Sequence, residues 1–289
     1  MLPIYYINLD SRPDRRAFME AQLASLGLEG TRVSAATPAD LTPEEVALYC
    51  DGRKPRYLRC KELACSLSHE RVWKRMVTAG NRWALVLEDD AELSPLLPNF
   101  LESLGNFDTD LIRLEATGPT IRVFPPIANI VGIGLRPFRS TPMGSAGYVL
   151  SNRAAKLLVG HPAFRQRQTD LALYNPFDEP GASIRRVQAV PGLCQQLGSM
   201  RPDKLSIGRS DIAPVDEPHL YAKEHPLRYR LGRLREGLTE GWRNARDHFA
   251  SKKQGLTRMS IPFADGTWTG SDLIPRPPAA RRNGGPSAG

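Results

Sequence analysis

Three consecutive carboxylates, Glu88, Asp89 and Asp90, close the apolar run from Trp83 to Leu87. A short apolar run bounded by polar residues predicts a buried strand. In open α/β sheets ligands gather beyond the carboxyl ends of the strands. Three acids held together there repel one another unless a counter-charge joins them, and hard oxygen donors suit Mg²⁺ or Mn²⁺. On an extended strand alternate residues share a face, which predicts Glu88 and Asp90 on one side and Asp89 on the other. The competing reading is an acidic turn that caps the next helix.

A second concentration of chemistry lies near the start. Ile4 to Leu9 reads as a strand, and Pro13 fits the first turn of a helix that carries Phe18, Met19, Leu23 and Leu26 on one face and stops at Gly27. The junction presents Asn8, Asp10, Arg12, Arg15 and Arg16. A helix N-terminus with arginines suits a diphosphate, and a solvated, charged first turn is the alternative. His69 falls early in an expected helix over 61–79, where a histidine is more often a packing residue than a ligand. Asp170 precedes a short apolar segment and on the sequence alone reads as a helix cap. Cys60, Cys65 and His69 fit no familiar zinc spacing, so reduced, buried thiols are the better reading.

The elements that must position these groups alternate. Strands are expected at 4–9, 31–36, 83–88, 110–115, 147–150 and 184–190, with helices between them. Thr42-Pro43-Glu44-Glu45 forms a capping box, and Ser151 or Asn152 caps a helix over 153–159. Gly144-Ser145-Ala146-Gly147 is a small-residue turn that lets a ligand approach the backbone. This alternation predicts an α/β fold with a mainly parallel sheet. At 289 residues and 41% hydrophobic content the chain can build a real core.

No stretch approaches the ~20 apolar residues of a membrane span. The chain opens on a strand rather than a secretory signal, and four cysteines give no disulfide framework. The expectation is a cytoplasmic protein. From Val215 onward thirteen Lys/Arg stand against eight Asp/Glu, so this last quarter holds most of the net +8. Within it Leu227, Leu231, Leu234, Leu238, Trp242 and Phe249 recur at helical spacing among arginines. Such a basic amphipathic helix lies on an anionic membrane, or docks on its own domain or a partner. From about Ser271 the Pro/Gly/Arg-rich tail is expected to be disordered.

Ile7-Asn8-Leu9-Asp10-Ser11-Arg12-Pro13-Asp14-Arg15-Arg16, then Glu62-Leu63-Ala64-Cys65-Ser66-Leu67-Ser68-His69, then Leu85-Val86-Leu87-Glu88-Asp89-Asp90-Ala91 resemble glycosyltransferase family 25. Gly147-Tyr148-Val149-Leu150-Ser151, Asp170 and Ser210-Asp211-Ile212 resemble its later blocks. The resemblance implies a GT-A-like domain over 1–214, followed by a basic helical extension over 215–255 and a flexible tail over 256–289. It implies transfer of a sugar, galactose from UDP-galactose, to a glycan or glycolipid acceptor of the lipopolysaccharide or lipooligosaccharide kind, with inversion. Mn²⁺ or Mg²⁺ would sit on the donor diphosphate through Glu88 and Asp90, the family's Asp-x-Asp motif standing here as Glu88-Asp89-Asp90. Asp170 would be the general base. Asn8, Asp10, Arg12 and Arg15, with His69 and Asp89, would line or support the nucleotide pocket. No nucleic acid is expected; the localisation expected is cytoplasmic, with the basic helix offering peripheral attachment to the inner face of the cell membrane. The alternative is a catalytically degenerate transferase-like protein whose basic helix binds membrane or nucleic acid.

Overall fold

A computed structural model describes residues 2–105, 107–197 and 220–267. Ser210-Asp211-Ile212 and the tail beyond Thr267 lie outside the described residues. The chain begins with strand β1 (Ile4–Asn8), helix α1 (Pro13–Ser25), strand β2 (Thr31–Ser34) and helices α2 (Pro43–Tyr49) and α3 (Cys60–Thr78). Strands β3 (Trp83–Glu88) and β4 (Ala91–Leu93), helix α4 (Leu97–Glu102) and strands β5 (Leu111–Arg113), β6 (Thr117–Val123), β7 (Ala128–Ile130) and β8 (Ile133–Pro137) follow. Next come β9 (Gly147–Ser151), α5 (Asn152–Leu158), α6 (Thr169–Tyr174), β10 (Arg186–Val190) and β11 (Cys194–Gln196). Helices α7 (Leu220–Glu224) and α8 (Pro226–Lys252) and strand β12 (Thr257–Ile261) complete the described chain.

The local signals act as expected. The Thr42 side chain accepts from the Glu45 N–H at the start of α2, and Ser151 accepts from the Ala154 N–H at the start of α5. Each caps N–H groups that the helix itself cannot satisfy.

Eight strands form one sheet in the order β2-β1-β3-β9-β5-β10-β8-β7. The expectation of a mainly parallel sheet needs correction. β2, β1 and β3 pair in parallel, as do β5 and β10, but β9 and β8 run against all their neighbours. The sheet is therefore mixed, and the reversal at its centre shapes the site.

Both faces are covered. Ala84 and Val86 of β3 join Tyr5 and Ile7 of β1 under Val72, Trp73 and Met76 of α3. Leu85 and Leu87 join Ile4 and Tyr6 against Met19 and Leu23 of α1 and Phe100 of α4. Burial on both faces explains why β3 reads as an unbroken apolar run.

The expectation of a flexible tail from residue 256 fails for its first part. β12 pairs antiparallel with β6, Ile261 and Ala264 are buried, and backbone hydrogen bonds tie Pro262 and Ala264 to Gly192. The alternation of polar Thr257, Arg258 and Ser260 with Met259 and Ile261 suits a strand with one buried face. No helix among the described residues is long and apolar enough to cross a membrane.

Candidate active site

The register of β1 on β3, Tyr6 opposite Leu87 and Ile7 opposite Glu88, brings Asn8 alongside the acid triplet. The reversed β9 pairs Gly147 with Leu87, and Tyr148 with Arg113 of β5. Because β9 runs backwards, the turn preceding it, residues 144–146, meets the carboxyl ends of β3 and β5. The Glu88 N–H accordingly donates to the Ala146 carbonyl at 2.9 Å.

Glu88 continues the face of Ala84 and Val86 and so points to α3. Its Oε1 accepts from Ser145 Oγ at 2.6 Å and lies 3.3 Å from His69 Nε2. His69 is fully buried. Trp73 Nε1 donates to the Tyr148 hydroxyl at 2.9 Å, and that hydroxyl lies 2.9 Å from His69 Nδ1. With Trp73 donating, the Tyr148 proton goes to Nδ1, and His69 turns an Nε2–H toward Glu88; this order of donors assigns the tautomer. Burial opposes ionisation of Glu88, but the hydrogen bonds from His69 and Ser145 hold its carboxyl below the usual range.

The strand ends at Glu88, and Asp89 and Asp90 form the turn into β4. Regular strand alternation therefore stops at Glu88, and the turn rather than the strand sets where Asp89 and Asp90 point. Both aspartates reach Arg15 of α1, Asp89 Oδ1 at 3.0 Å and Asp90 Oδ2 at 3.5 Å. Asp89 Oδ2 also accepts from Asn8 Nδ2 at 2.7 Å. Asp89 is thus a brace with both oxygens engaged. Asp90 Oδ2 has a long hydrogen bond from Gln196 at 3.4 Å, while Oδ1 is buried without a hydrogen-bond partner. Burial and the neighbouring Glu88 charge, only partly offset by Arg15, push Asp90 up to about 7.

On the other side of β3, Asp170, the second residue of α6, accepts the Gly144 N–H on Oδ2 at 2.8 Å and the Leu171 N–H on Oδ1 at 2.7 Å. Burial raises its pKa against those two bonds, and the Glu88 charge adds to the rise. Its helix joins α3 through the Ser66 and Thr169 hydroxyls, 3.0 Å apart. Asp170 and Glu88 thus both bind the 144–146 turn.

Glu115, just past β5, belongs to the same cluster and was missed by the sequence reading. Its Oε2 accepts the Ala146 N–H at 3.2 Å and lies 3.0 Å from the fully buried guanidinium of Arg113. Burial pushes it up to about 7 against the pull of Arg113, with the Glu88 charge adding to the rise. The signal was available, since the run from Asp110 to Glu115 repeats the apolar-strand-then-acid pattern of Trp83 to Asp90.

The structure thus brings together Asn8, Arg15, His69, Glu88, Asp89, Asp90 and Asp170. Asp10 and Arg12 stand toward the rim: Asp10 pairs with Arg32 and Ser34, and Arg12 pairs with Asp14 at 2.8 Å. Among the described residues no three His, Cys, Asp or Glu side chains are grouped to hold a metal on their own. What they offer is a buried aspartate oxygen without a partner beside a glutamate that keeps its charge. Two carboxylates suffice for Mg²⁺ when substrate phosphates and water complete its shell.

The family model for glycosyltransferase family 25 (LPS biosynthesis protein) matches residues 1–170. That span takes in every acid of the cluster and ends on Asp170. The lacto-N-neotetraose biosynthesis glycosyltransferase LgtB of Neisseria gonorrhoeae is 28% identical over 206 residues, 66% of this chain and 73% of that protein. LgtE of the same organism is 27% identical over the same shares. A glycosyltransferase 25 family member of Aedes aegypti is 34% identical over 100 residues, 32% of this chain and 16% of that protein. Among solved structures, a glycosyltransferase involved in glycosylation of the major capsid of PBCV-1 covers 72% of this chain and 99% of its own at 9% identity, with a TM-score of 0.41 too low to carry an argument.

Proposed function

Because the chain belongs to glycosyltransferase family 25, and is therefore an enzyme that moves a sugar from a UDP-sugar to a glycan, we propose a particular form of that reaction on a GT-A-like domain. The donor is UDP-galactose, the acceptor a saccharide of lipopolysaccharide or lipooligosaccharide, and the transfer inverts the anomeric centre with the help of Mn²⁺ or Mg²⁺. The observation that carries this reading is the buried, unpartnered oxygen of Asp90 beside the ionised Glu88. An unpaired carboxylate oxygen out of water is costly unless a cation joins it.

Glu88 and Asp90 would hold the ion, which offsets the charge that builds on the departing UDP. Arg15 and Asn8 hold Asp89, and through it the turn, in place. Arg12, paired with Asp14 at the start of α1, meets the diphosphate at the positive end of that helix. Asp10 lies on the same rim. His69 orients Glu88, with Tyr148 and Trp73 behind it.

Asp170 takes the proton from the acceptor hydroxyl. As the hydroxyl oxygen bonds to the anomeric carbon, the bond from that carbon to UDP breaks and UDP leaves with the electron pair. An α-linked donor then gives a β-linked product.

Incubation of the full chain with UDP-galactose, UDP-glucose and UDP-N-acetylglucosamine, read as UDP release, tests the donor. UDP-galactose should be consumed fastest. Faster release from another sugar overturns the galactose assignment, and release from none overturns the reading of the site. The anomeric proton coupling of the product reads inversion directly.

A further inference from the structure

Helix α8 is attached to the domain by the wrong face for an ordinary amphipathic helix. At about 100° per residue, Leu227, Leu231, Leu234, Leu238, Trp242 and Phe249 fall within one sector of roughly 80°. Surface helices normally turn such a stripe to the core. Here the six side chains are each 60–73% exposed. The buried positions are Asp247 and Ser251, across the helix from the stripe.

The polar side is fastened at several points. Asp247 pairs with Arg122 at 3.3 Å and with Arg139, and Asn244 Oδ1 accepts from Arg122 at 2.7 Å. Arg243 reaches Asp178 at 3.2 Å, and Glu236 reaches Arg56 at 2.6 Å. Arg56 lies four residues before α3 and Asp178 four residues after α6, and these two helices carry His69 and Asp170. The helix is therefore docked beside the segments that enclose the acid cluster, with its apolar stripe turned outward.

We infer that this outward stripe inserts into the interface of an anionic lipid bilayer and seats the domain on it. Charge selects that occupant. The helix carries seven Lys/Arg against three acids; two of those acids, Glu236 and Asp247, pair with the domain's own arginines, and one of the cations, Arg243, pairs with Asp178. Two copies of so basic a helix would repel each other face to face, whereas anionic headgroups attract it. Arg228, Arg235 and Arg246 flank the stripe where headgroups would lie. Trp242 sits at its edge with the Arg246 guanidinium 5.4 Å above its ring, an amphipathic pair suited to the boundary between acyl chains and headgroups. This surface does not depend on the reading of the acid cluster.

Cosedimentation of the full chain with phosphatidylcholine vesicles, with and without phosphatidylglycerol, tests it. The protein should pellet with the anionic vesicles at low salt and be released as salt rises. The triple variant Leu231→Glu/Leu238→Glu/Trp242→Glu should lose binding by about tenfold or more, with unchanged melting and unchanged UDP release, because these side chains touch neither core nor site. Arg228→Ala and Arg235→Ala should each weaken binding about fivefold, the fold-change equivalent to ~1 kcal/mol per charge. Failure to pellet, equal pelleting with neutral vesicles, or full binding by the triple variant overturns the inference. So does a dimer in sedimentation velocity that the triple variant dissolves, since the stripe would then belong to a second copy.

Discussion

At the scale of residues, the site is a graded set of acids. Glu88 keeps its charge because His69 and Ser145 donate to it, while burial, with that charge added, pushes up Asp90, Glu115 and Asp170 around it. Asp170→Asn preserves the shape of the carboxyl but cannot take a proton. It should leave UDP binding intact by calorimetry and lower transfer by about a hundredfold or more; transfer within a few fold of wild type would assign the base elsewhere. Because burial raises the Asp170 pKa, the ionised base is lost as pH falls through a value above the ordinary aspartate range of about 3.9. The part of the acid limb that Asp170 sets should therefore lie above that range in wild type and be missing in Asp170→Asn. The triplet and its place at a strand end were legible in the sequence, because an apolar run that stops on carboxylates is a local pattern. The division of labour within it was not. That both Asp89 oxygens are engaged while one Asp90 oxygen lacks a hydrogen-bond partner depends on Asn8 and Arg15, seventy-four or more positions away.

At the scale of elements, the reversed β9 sets the geometry. A forward strand would have placed the turn that follows it at the ligand end; β9 places the turn that precedes it there. Gly144 in that turn has φ +88° and packs against Glu115, and an added Cβ would lie 2.9 Å from Glu115 Oε2 and nearer still to Oε1. Gly144→Ala should therefore cost about 1–3 kcal/mol in backbone strain and contact, read as a melting temperature lower by several degrees, and should also slow transfer, because Gly144 N–H holds Asp170. An unchanged melting point would contradict this packing. Strand direction was not legible. Alternating strands and helices favour parallel pairing, but the 117–142 segment carries β6, β7 and β8 without an intervening helix, and its hairpin returns admit the antiparallel pairs. The stripe of α8 was legible from its spacing, while the face it presents was not, since that is decided by Arg122 and Arg139 capturing Asp247. Asp247→Asn should loosen this anchor by about 2 kcal/mol, a discounted figure because Arg139 is partly exposed. Hydrogen exchange should then rise along 240–252 and leave β3 protected; equal protection of α8 would mean that the ion pairs do not hold it.

At the scale of the whole molecule, a doubly covered mixed sheet, a basic helix and a returning strand form one arrangement around the carboxyl ends of β1, β3 and β5. The boundary drawn at residue 256 by composition missed β12, because a five-residue strand next to a Pro/Gly/Arg-rich tail is outweighed in any compositional window; pairing with β6 and burial of Ile261 stabilise it. The central claim is that Asp90 and Glu88 recruit a divalent ion to a UDP-sugar donor. The most direct test is the initial rate of UDP release from UDP-galactose by the full chain with Mn²⁺, with excess chelator, and with Mn²⁺ restored, set beside Asp90→Asn at matched folding. Chelation should remove the activity and Mn²⁺ return it, and Asp90→Asn should stay about a hundredfold or more below wild type at any Mn²⁺ concentration. Full activity in chelator, or a wild-type rate from Asp90→Asn, would contradict the claim.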